Sequence, residues 1–324
     1  MSQKPLIILT GPTAVGKTAL STGLAKAVNG EIISADSMQV YRYMDIGTAK
    51  IKKEEMDGVP HHLIDEFDPD EEFHVYKFKE YAKRYIGDIH ARGKIPVLVG
   101  GTGFYIQAVL YDIDFDENET DSEYRRELNE LCRIHGKTYL HEMLREVDEE
   151  SAVKIHENNV KRVIRALEYY KQNQEPISRH NERESRKSSP YRYLYFVLND
   201  ERSVLYDRID KRVDAMAANG LVDEVINLQN RGYTKELISM QGLGYKEILS
   251  YLSEECTLAE ALYRIKRDTR HFAKRQLTWF GREKDVIWIN KQDYGRDDSK
   301  ILEVLLDRIK QEWKEDKDNH GEKC

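Results

Sequence analysis

Cysteine is scarce: Cys132, Cys256 and Cys324 are the only three in 324 residues, widely spaced and without a C-x-x-C pair. That pattern argues against a disulfide framework and against a zinc module of paired cysteines, leaving buried or incidental thiols. No uninterrupted apolar run approaches the ~18 residues of a membrane span, so no membrane partner is expected. The opening "MSQKPLIILTGP" has too short an apolar stretch and too early a Gly-Pro break for a secretory signal, and a cytoplasmic location is expected. Net positive charge is also lacking, the formal total being −7, so a nucleic-acid partner has to meet a local basic surface. No repeat of fixed period and no dimerisation seam is visible, and a monomer is expected. What remains, at 40% hydrophobic and 34% charged residues, is a chain long enough to bury the cores of two domains.

Apolar runs at 5–10, 30–35, 61–65, 94–101 and 192–199 read mostly as buried parallel strands. Helical patterns lie between the first four, at 18–28 and at 74–93, where Val75, Phe78, Tyr81, Ala82, Tyr85, Ile86 and Ile89 carry the apolar character. Strands alternating with helices predict βαβ units and an α/β fold with a parallel sheet flanked by helices. From 116 to about 190 the texture turns charged and helical, ending in "SRHNERESRKSSP", which reads as a mobile basic loop. The expected organisation is therefore a core of 1–115 and 191–324 interrupted by an all-helical insert at 116–190. After 199 the chain reads as helices to about 280, and the charged tail from 312 is expected to fray.

Gly11-Pro12-Thr13-Ala14-Val15-Gly16-Lys17-Thr18 matches G-x-x-x-x-G-K-[ST] between a strand and a helix, the setting in which that motif cradles a diphosphate. Backbone N–H groups wrap the phosphates, the helix N-terminus adds positive potential, Lys17 neutralises charge and the Thr18 hydroxyl is placed for Mg²⁺. Kinases, ATPases and GTPases share this loop, so it does not name the reaction. Two absences narrow the choice. The strand at 95–99 ends in Gly-Gly-Thr, without the acid of a nucleotide hydrolase, and there is no N-K-x-D run for guanine. Transfer of a group to an acceptor fits better than hydrolysis.

Asp36, Ser37 and Gln39 follow the second strand, where ligands of such folds bind. Asp36 is either a general base for an attacking hydroxyl or amine, or the cap of an Asx turn. Gly100, Gly101 and Gly103 permit close backbone approach around Thr102 at a second strand end. On the helix after residue 200, Arg208 and Arg212 lie one turn apart, and Arg212 is favoured for a leaving diphosphate. Farther on, Arg267, Arg270, His271, Lys274 and Arg275 form a basic stripe opposite Leu262, Ile265, Thr269, Phe272 and Gln276. With Trp279, Phe280, Lys161, Arg162 and Arg165, the stripe suits phosphate-backbone contact; a solvated basic face is the alternative.

The ordered strings "GPTAVGKT", "ISADSMQVYRYMDIGTAK", "HHLID", "VLVGGTGFYIQAVL", "VKRVIRALE", "GLGYKEI" and "AKRQLTWF" resemble the bacterial tRNA dimethylallyltransferase (isopentenyltransferase) family from about residue 5 to about 290. The resemblance implies a P-loop NTPase-like core with an inserted helical tRNA-binding region. It also implies transfer of a dimethylallyl group from dimethylallyl diphosphate to N6 of adenosine 37 in tRNAs reading codons that begin with U, with release of pyrophosphate. It assigns Asp36, Thr102 and Arg212 to catalysis, residues 11–18 with Mg²⁺ to the diphosphate, and the anticodon stem-loop to a larger surface. That surface comprises Asp36, Ser37, Met38, Gln39 and Thr102; Arg125, Asn159, Val160, Lys161, Arg162 and Val163; Met240, Gln241, Gly242, Leu243, Gly244 and Tyr245; and Lys274, Arg275, Gln276, Leu277, Thr278, Trp279, Phe280 and Gly281. A C-terminal zinc-finger extension of the kind some eukaryotic relatives carry is not expected. The rival readings are a small-molecule kinase using ATP and Asp36, and an RNA-binding nucleotide switch.

Overall fold

The computed structural model describes residues 3–115 and 122–321; the expected start of the insert at 116–121 and Cys324 lie outside the described residues. In chain order the elements are β1 (Lys4–Thr10), α1 (Lys17–Ala27), β2 (Gly30–Ala35), β3 (His61–His62), α2 (Val75–Ala91), β4 (Ile95–Gly100) and α3 (Gly103–Leu110). There follow α4 (Ser122–His135), α5 (Lys137–Val147), α6 (Glu149–Lys154), α7 (Val160–Asn173) and α8 (Ile177–Ser185). The chain continues with β5 (Tyr191–Asn199), α9 (Arg202–Ala218), α10 (Leu221–Asn230), α11 (Tyr245–Leu252), α12 (Leu258–Phe280), β6 (Val286–Asn290) and α13 (Asp298–Gly321). These elements form two compact units, 1–110 with 190–324, and 111–189.

The first unit is built on a six-stranded, all-parallel sheet in the order β3-β2-β4-β1-β5-β6. Leu6, Ile7, Ile8 and Leu9 are wholly buried, as a central strand covered on both faces requires. Their register, Ile7 opposite Val97 and Leu194, brings Thr10 level with Gly100 and Val197. The carboxyl ends of β1, β2 and β4 thus share one edge, and the Thr10 hydroxyl donates to the Gly100 carbonyl at 2.6 Å across it. Helix α2 buries Phe78, Ala82, Ile86 and Ile89, an amphipathic stripe in which each side chain contributes roughly 1.5–3 kcal/mol when fully covered. Helix α12 starts at a capping box: Thr257 Oγ1 accepts from Glu260 N and Glu260 Oε2 accepts from Thr257 N.

One expectation needs correction and one element was not expected. The polar stretch read as a mobile basic loop is helix α8 over most of its length, with Ser178 buried and its N–H donating to Asp148 Oδ2 at 3.0 Å. A sixth strand, β6, follows the long helix; its four-residue apolar run, Val286 to Ile289, is too short to assign by pattern alone, and only Ile289 of its five residues is buried. The charged tail continues α13 as far as Gly321. The second unit has its own core of Leu128, Leu140, Leu144, Ala152, Val163, Ile164, Ala166 and Leu167.

Candidate active site

The loop between β1 and α1 is shaped by backbone that side chains resist. Gly11 has φ 146, and a Cβ there would lie 2.4 Å from the Leu198 carbonyl oxygen of β5, so only glycine admits this approach. Ala14 at φ 65 and Gly16 at φ 96 turn the chain into α1. The first-turn N–H groups of α1 have no helical acceptors, and with the helix dipole they favour an anion here. Lys17 Nζ folds back over the loop, donating to the carbonyls of Gly11 and Pro12 at 2.9 Å each. The Thr18 side chain stands at an exposed position one residue further.

Three charges converge on this loop. Burial lowers the Lys17 pKa to about 8; Arg212 lowers it further in the same direction and Asp36 opposes both. Arg212 is itself depressed by burial. The two candidate arginines differ in employment: Arg208 is held by the fully buried Asp200 at 3.3 Å, whereas no ion pair or hydrogen bond engages Arg212 among the described residues. Two desolvated cations and one carboxylate make a setting that an anionic ligand would relax.

Asp36 forms the Asx turn that its place after β2 allowed. Its Oδ1 accepts from Met38 N at 2.9 Å and Gln39 N at 3.3 Å, an Asx turn, and Oδ2 is not used by that turn. Thr102 is tied to the same strand end, its N–H donating to the Ala35 carbonyl at 3.2 Å while its own carbonyl caps the start of α3. Phe104, 41% exposed, lies edge-on to Trp279 with centroids 6.1 Å apart, giving apolar surface beside Thr102. A Cβ on Gly103 would lie 2.2 Å from the Trp279 ring, so α3 and α12 meet through a missing side chain.

Several residues grouped with the RNA surface face inward instead. Met240, Tyr245, Val163 and Phe280 are wholly buried, and Gln276 is 6% exposed. Tyr245 donates its hydroxyl to Glu224 at 2.7 Å, and the same carboxylate accepts from the N–H groups of Asp45, Ile46 and Gly47 at 2.7–3.0 Å. Gly242 packs on Met38, since a Cβ there would lie 2.4 Å from the Met38 methyl. The segments 36–39 and 240–245 are therefore neighbours. Gln39 is occupied with the carbonyls of Thr48 and Ala49, and Gln241 with that of Lys235.

The basic stripe on α12 is partly neutralised: Arg267 pairs with Asp268 and Arg270 with Asp210. Lys274 and Arg275 are exposed and form no ion pair among the described residues, with Thr278 and Gly281 exposed beside them. In the other unit, Asn159 precedes α7, Lys161, Arg162 and Arg165 are exposed, and Val160 packs against the helical core. Arg125 makes a bidentate pair with the fully buried Glu168 at 2.7–2.8 Å and leaves 43% of its side chain exposed.

Sequence reading missed Lys291, which is 2% exposed, pairs with Asp298 at 2.6 Å and brings Nζ to 3.0 Å from where a Cβ of Gly16 would stand. It follows β6, and without that strand nothing placed it near the loop. Among the described residues no group of three His, Cys, Asp or Glu side chains is arranged to hold a metal.

The family model described as IPP transferase matches residues 39–283, about three quarters of the chain. The chain belongs to the IPP transferase family. A tRNA dimethylallyltransferase of Lachnoclostridium phytofermentans is 62% identical over 302 residues, 93% of this chain and 96% of that relative. Among solved structures of the family, the tRNA isopentenylpyrophosphate transferase of Bacillus halodurans is 44% identical with a TM-score of 0.72, covering 97% of this chain and 99% of its own. A eukaryotic dimethylallyltransferase acting on tRNA is 30% identical with a TM-score of 0.78, covering 95% of this chain and 80% of its own.

Proposed function

We infer that the chain transfers a dimethylallyl group from dimethylallyl diphosphate to N6 of adenosine 37 in tRNAs that read codons beginning with U. The observation that carries this reading is the meeting of Lys17, Arg212 and Asp36 at the phosphate loop, which joins a diphosphate cradle to an acceptor-side carboxylate. In the reaction the allyl C1–oxygen bond breaks, the C1–N6 bond forms, pyrophosphate departs, and the N6 proton passes to Asp36 Oδ2. An exocyclic amine is a weak nucleophile, so orientation and stabilisation of the leaving group supply most of the barrier reduction. Lys17, Arg212 and the N–H groups of the α1 terminus hold the departing charge. Thr102 orients the acceptor, with the Phe104 and Trp279 rings offering apolar cover.

The protein groups at the loop fit a metal that arrives with the diphosphate better than a resident ion. One exposed hydroxyl, Thr18, is the motif's donor, and Mg²⁺ characteristically takes few protein ligands together with substrate phosphates. Bound there with the donor, Mg²⁺ would supply charge neutralisation to the leaving group. The target base has to leave the anticodon-loop stack to reach the allyl carbon. The exposed Lys274 and Arg275, and Lys161 and Arg162 of the helical unit, supply phosphate contacts that hold the stem-loop. We take the active species to be a monomer.

Labelled dimethylallyl diphosphate, Mg²⁺ and a tRNA with adenosine at position 37 test this reading directly. Label is expected on that adenosine. No incorporation, together with phosphate transfer from ATP to a small molecule, would replace it with the kinase reading.

A further inference from the structure

We propose that Gln276 is a positioning residue that couples the RNA-facing helix to the diphosphate loop; this rests on the diphosphate reading of that loop. The side chain lies on the inward face of α12, and its carboxamide is used at both ends. Oε1 accepts from Thr13 N at 2.9 Å, inside the phosphate loop, and Nε2 donates to the Gly101 carbonyl at 2.9 Å, beside Thr102. The contacts span 263 and 175 residues of chain, so they are tertiary ties and not local turns.

The side chains nearest to glutamine in size or shape do not reproduce this strap. Glutamate accepts from Thr13 but, when ionised, offers nothing to Gly101; asparagine is one methylene shorter; leucine leaves a buried N–H and a buried carbonyl unpaired. Gly101 is the partner's half of the same device. A Cβ at that position would lie 2.2 Å from Gln276 Nε2 and 3.7 Å from the next different neighbour, the Gly11 carbonyl oxygen. The space that glycine leaves is filled by the carboxamide.

The strap is rooted between charges that face outward. Lys274 and Arg275 immediately precede Gln276 on α12, and both are exposed. A phosphate backbone seated on them bears on the helix that holds the Thr13 N–H and the Gly101 carbonyl in place. RNA on α12 and diphosphate in the loop are thereby two ligands of one packed element, and each strengthens the other's binding by the same factor. Gln276 thus does for the donor what its place among RNA-binding residues would not suggest.

The test measures binding of dimethylallyl S-thiolodiphosphate, a poorly cleaved donor analogue, with and without a tRNA anticodon stem-loop, in the full-length protein. Wild type is expected to bind the analogue more tightly with RNA present, by about threefold or more, within the usual range of coupling. Gln276→Ala is expected to weaken the analogue about tenfold, to abolish the gain from RNA, and to leave RNA affinity alone unchanged. In steady state it raises the donor KM more than it lowers kcat. Gly101→Ala reaches the same strap from the other side, and Gly101→Ala with Gln276→Ala is expected to be no worse than Gln276→Ala alone. Additive losses, or a Gln276→Ala protein that keeps both donor affinity and coupling, would overturn the proposal. If wild type fails to bind the analogue at all, the diphosphate reading falls first and the coupling with it; should Gln276→Ala fail to fold, Gly101→Ala alone decides by whether coupling is lost.

Discussion

Raising the pH should weaken donor binding well before the protein unfolds, because the ammonium proposed to meet the diphosphate titrates early. Lys17 sits at about 8 instead of 10.5, chiefly because burial strips its water and secondarily because Arg212 is near. A diphosphate bound between the two cations would reverse both effects and return the lysine towards its ordinary range. If the ammonium form is the one that binds, the apparent dissociation constant grows as one plus ten to the power of pH minus 8. That is about twofold at pH 8 and about tenfold at pH 9 relative to pH 7. Calorimetry in buffers of different ionisation enthalpy should register uptake of about half a proton at pH 8, rising towards one at pH 9. The donor itself adds little above neutrality, since phosphate second ionisations lie near pH ~6. Lys17→Arg, whose guanidinium keeps its proton throughout, is expected to flatten the profile. A dissociation constant constant from pH 7 to 9.5, or proton release on binding, would refute the argument. The sign for folding runs the other way. Between 8 and 10.5 the unfolded chain holds more of the Lys17 proton than the folded one, so ligand-free stability gains from this residue as pH rises through that window.

Three further outcomes are expected. Asp36→Asn keeps an Oδ1 for the Met38 and Gln39 N–H groups but loses the carboxylate, so single-turnover transfer should drop by ~10²-fold or more with tRNA affinity retained; an unchanged rate would leave Asp36 as a turn residue. Glu224→Ala strands the N–H groups of Asp45, Ile46 and Gly47 and the Tyr245 hydroxyl, and urea unfolding should show a loss of about 2–4 kcal/mol; an unmoved midpoint would mean solvent replaces the carboxylate freely. Lys274→Ala with Arg275→Ala should lower tRNA affinity and reduce the slope of log affinity against log salt by about one per lost phosphate contact; an unaltered slope would make this a solvated face.

The sequence announces the first half of the core clearly because its signals are dense and local. An eight-residue loop motif, apolar runs and a 3.6-residue stripe each suffice to place their element, and β1, β2, β4, β5, α1 and α2 lie within a few residues of where these patterns put them. Strand β6 is harder, since a lone run of four apolar residues, Val286 to Ile289, flanked by charges does not by itself tell a strand from a helix segment. Helix α8 illustrates the converse: a polar composition reads as loop, while packing of its first turn on Asp148 makes it helix. At the site, residue type and strand-end position singled out Asp36, Thr102 and Lys17. Partnership was beyond reach. Nothing in the spacing of Arg208 and Arg212 says that Asp200 claims one of them, and nothing in "AKRQLTWF" says that its glutamine reaches Thr13. Those facts belong to long-range contacts that a one-dimensional pattern does not encode.

The strand order has a consequence for how the chain is made. β1, the first strand synthesised, is central in the finished sheet, bordered by β4 on one side and β5 on the other. As the chain emerges from the ribosome its pairing with β4 is available by residue 100, but its other edge has no native neighbour until 191–199 arrives. During that interval the row of Leu6, Ile7, Ile8 and Leu9 offers an open apolar edge, the hazard that slow, non-local pairing carries. Residues 111–189 form the second unit, whose described part has a hydrophobic core of its own. A helical segment built from near-neighbour contacts folds fast. Early compaction of such a segment is expected to shorten the loop that β5 has to close.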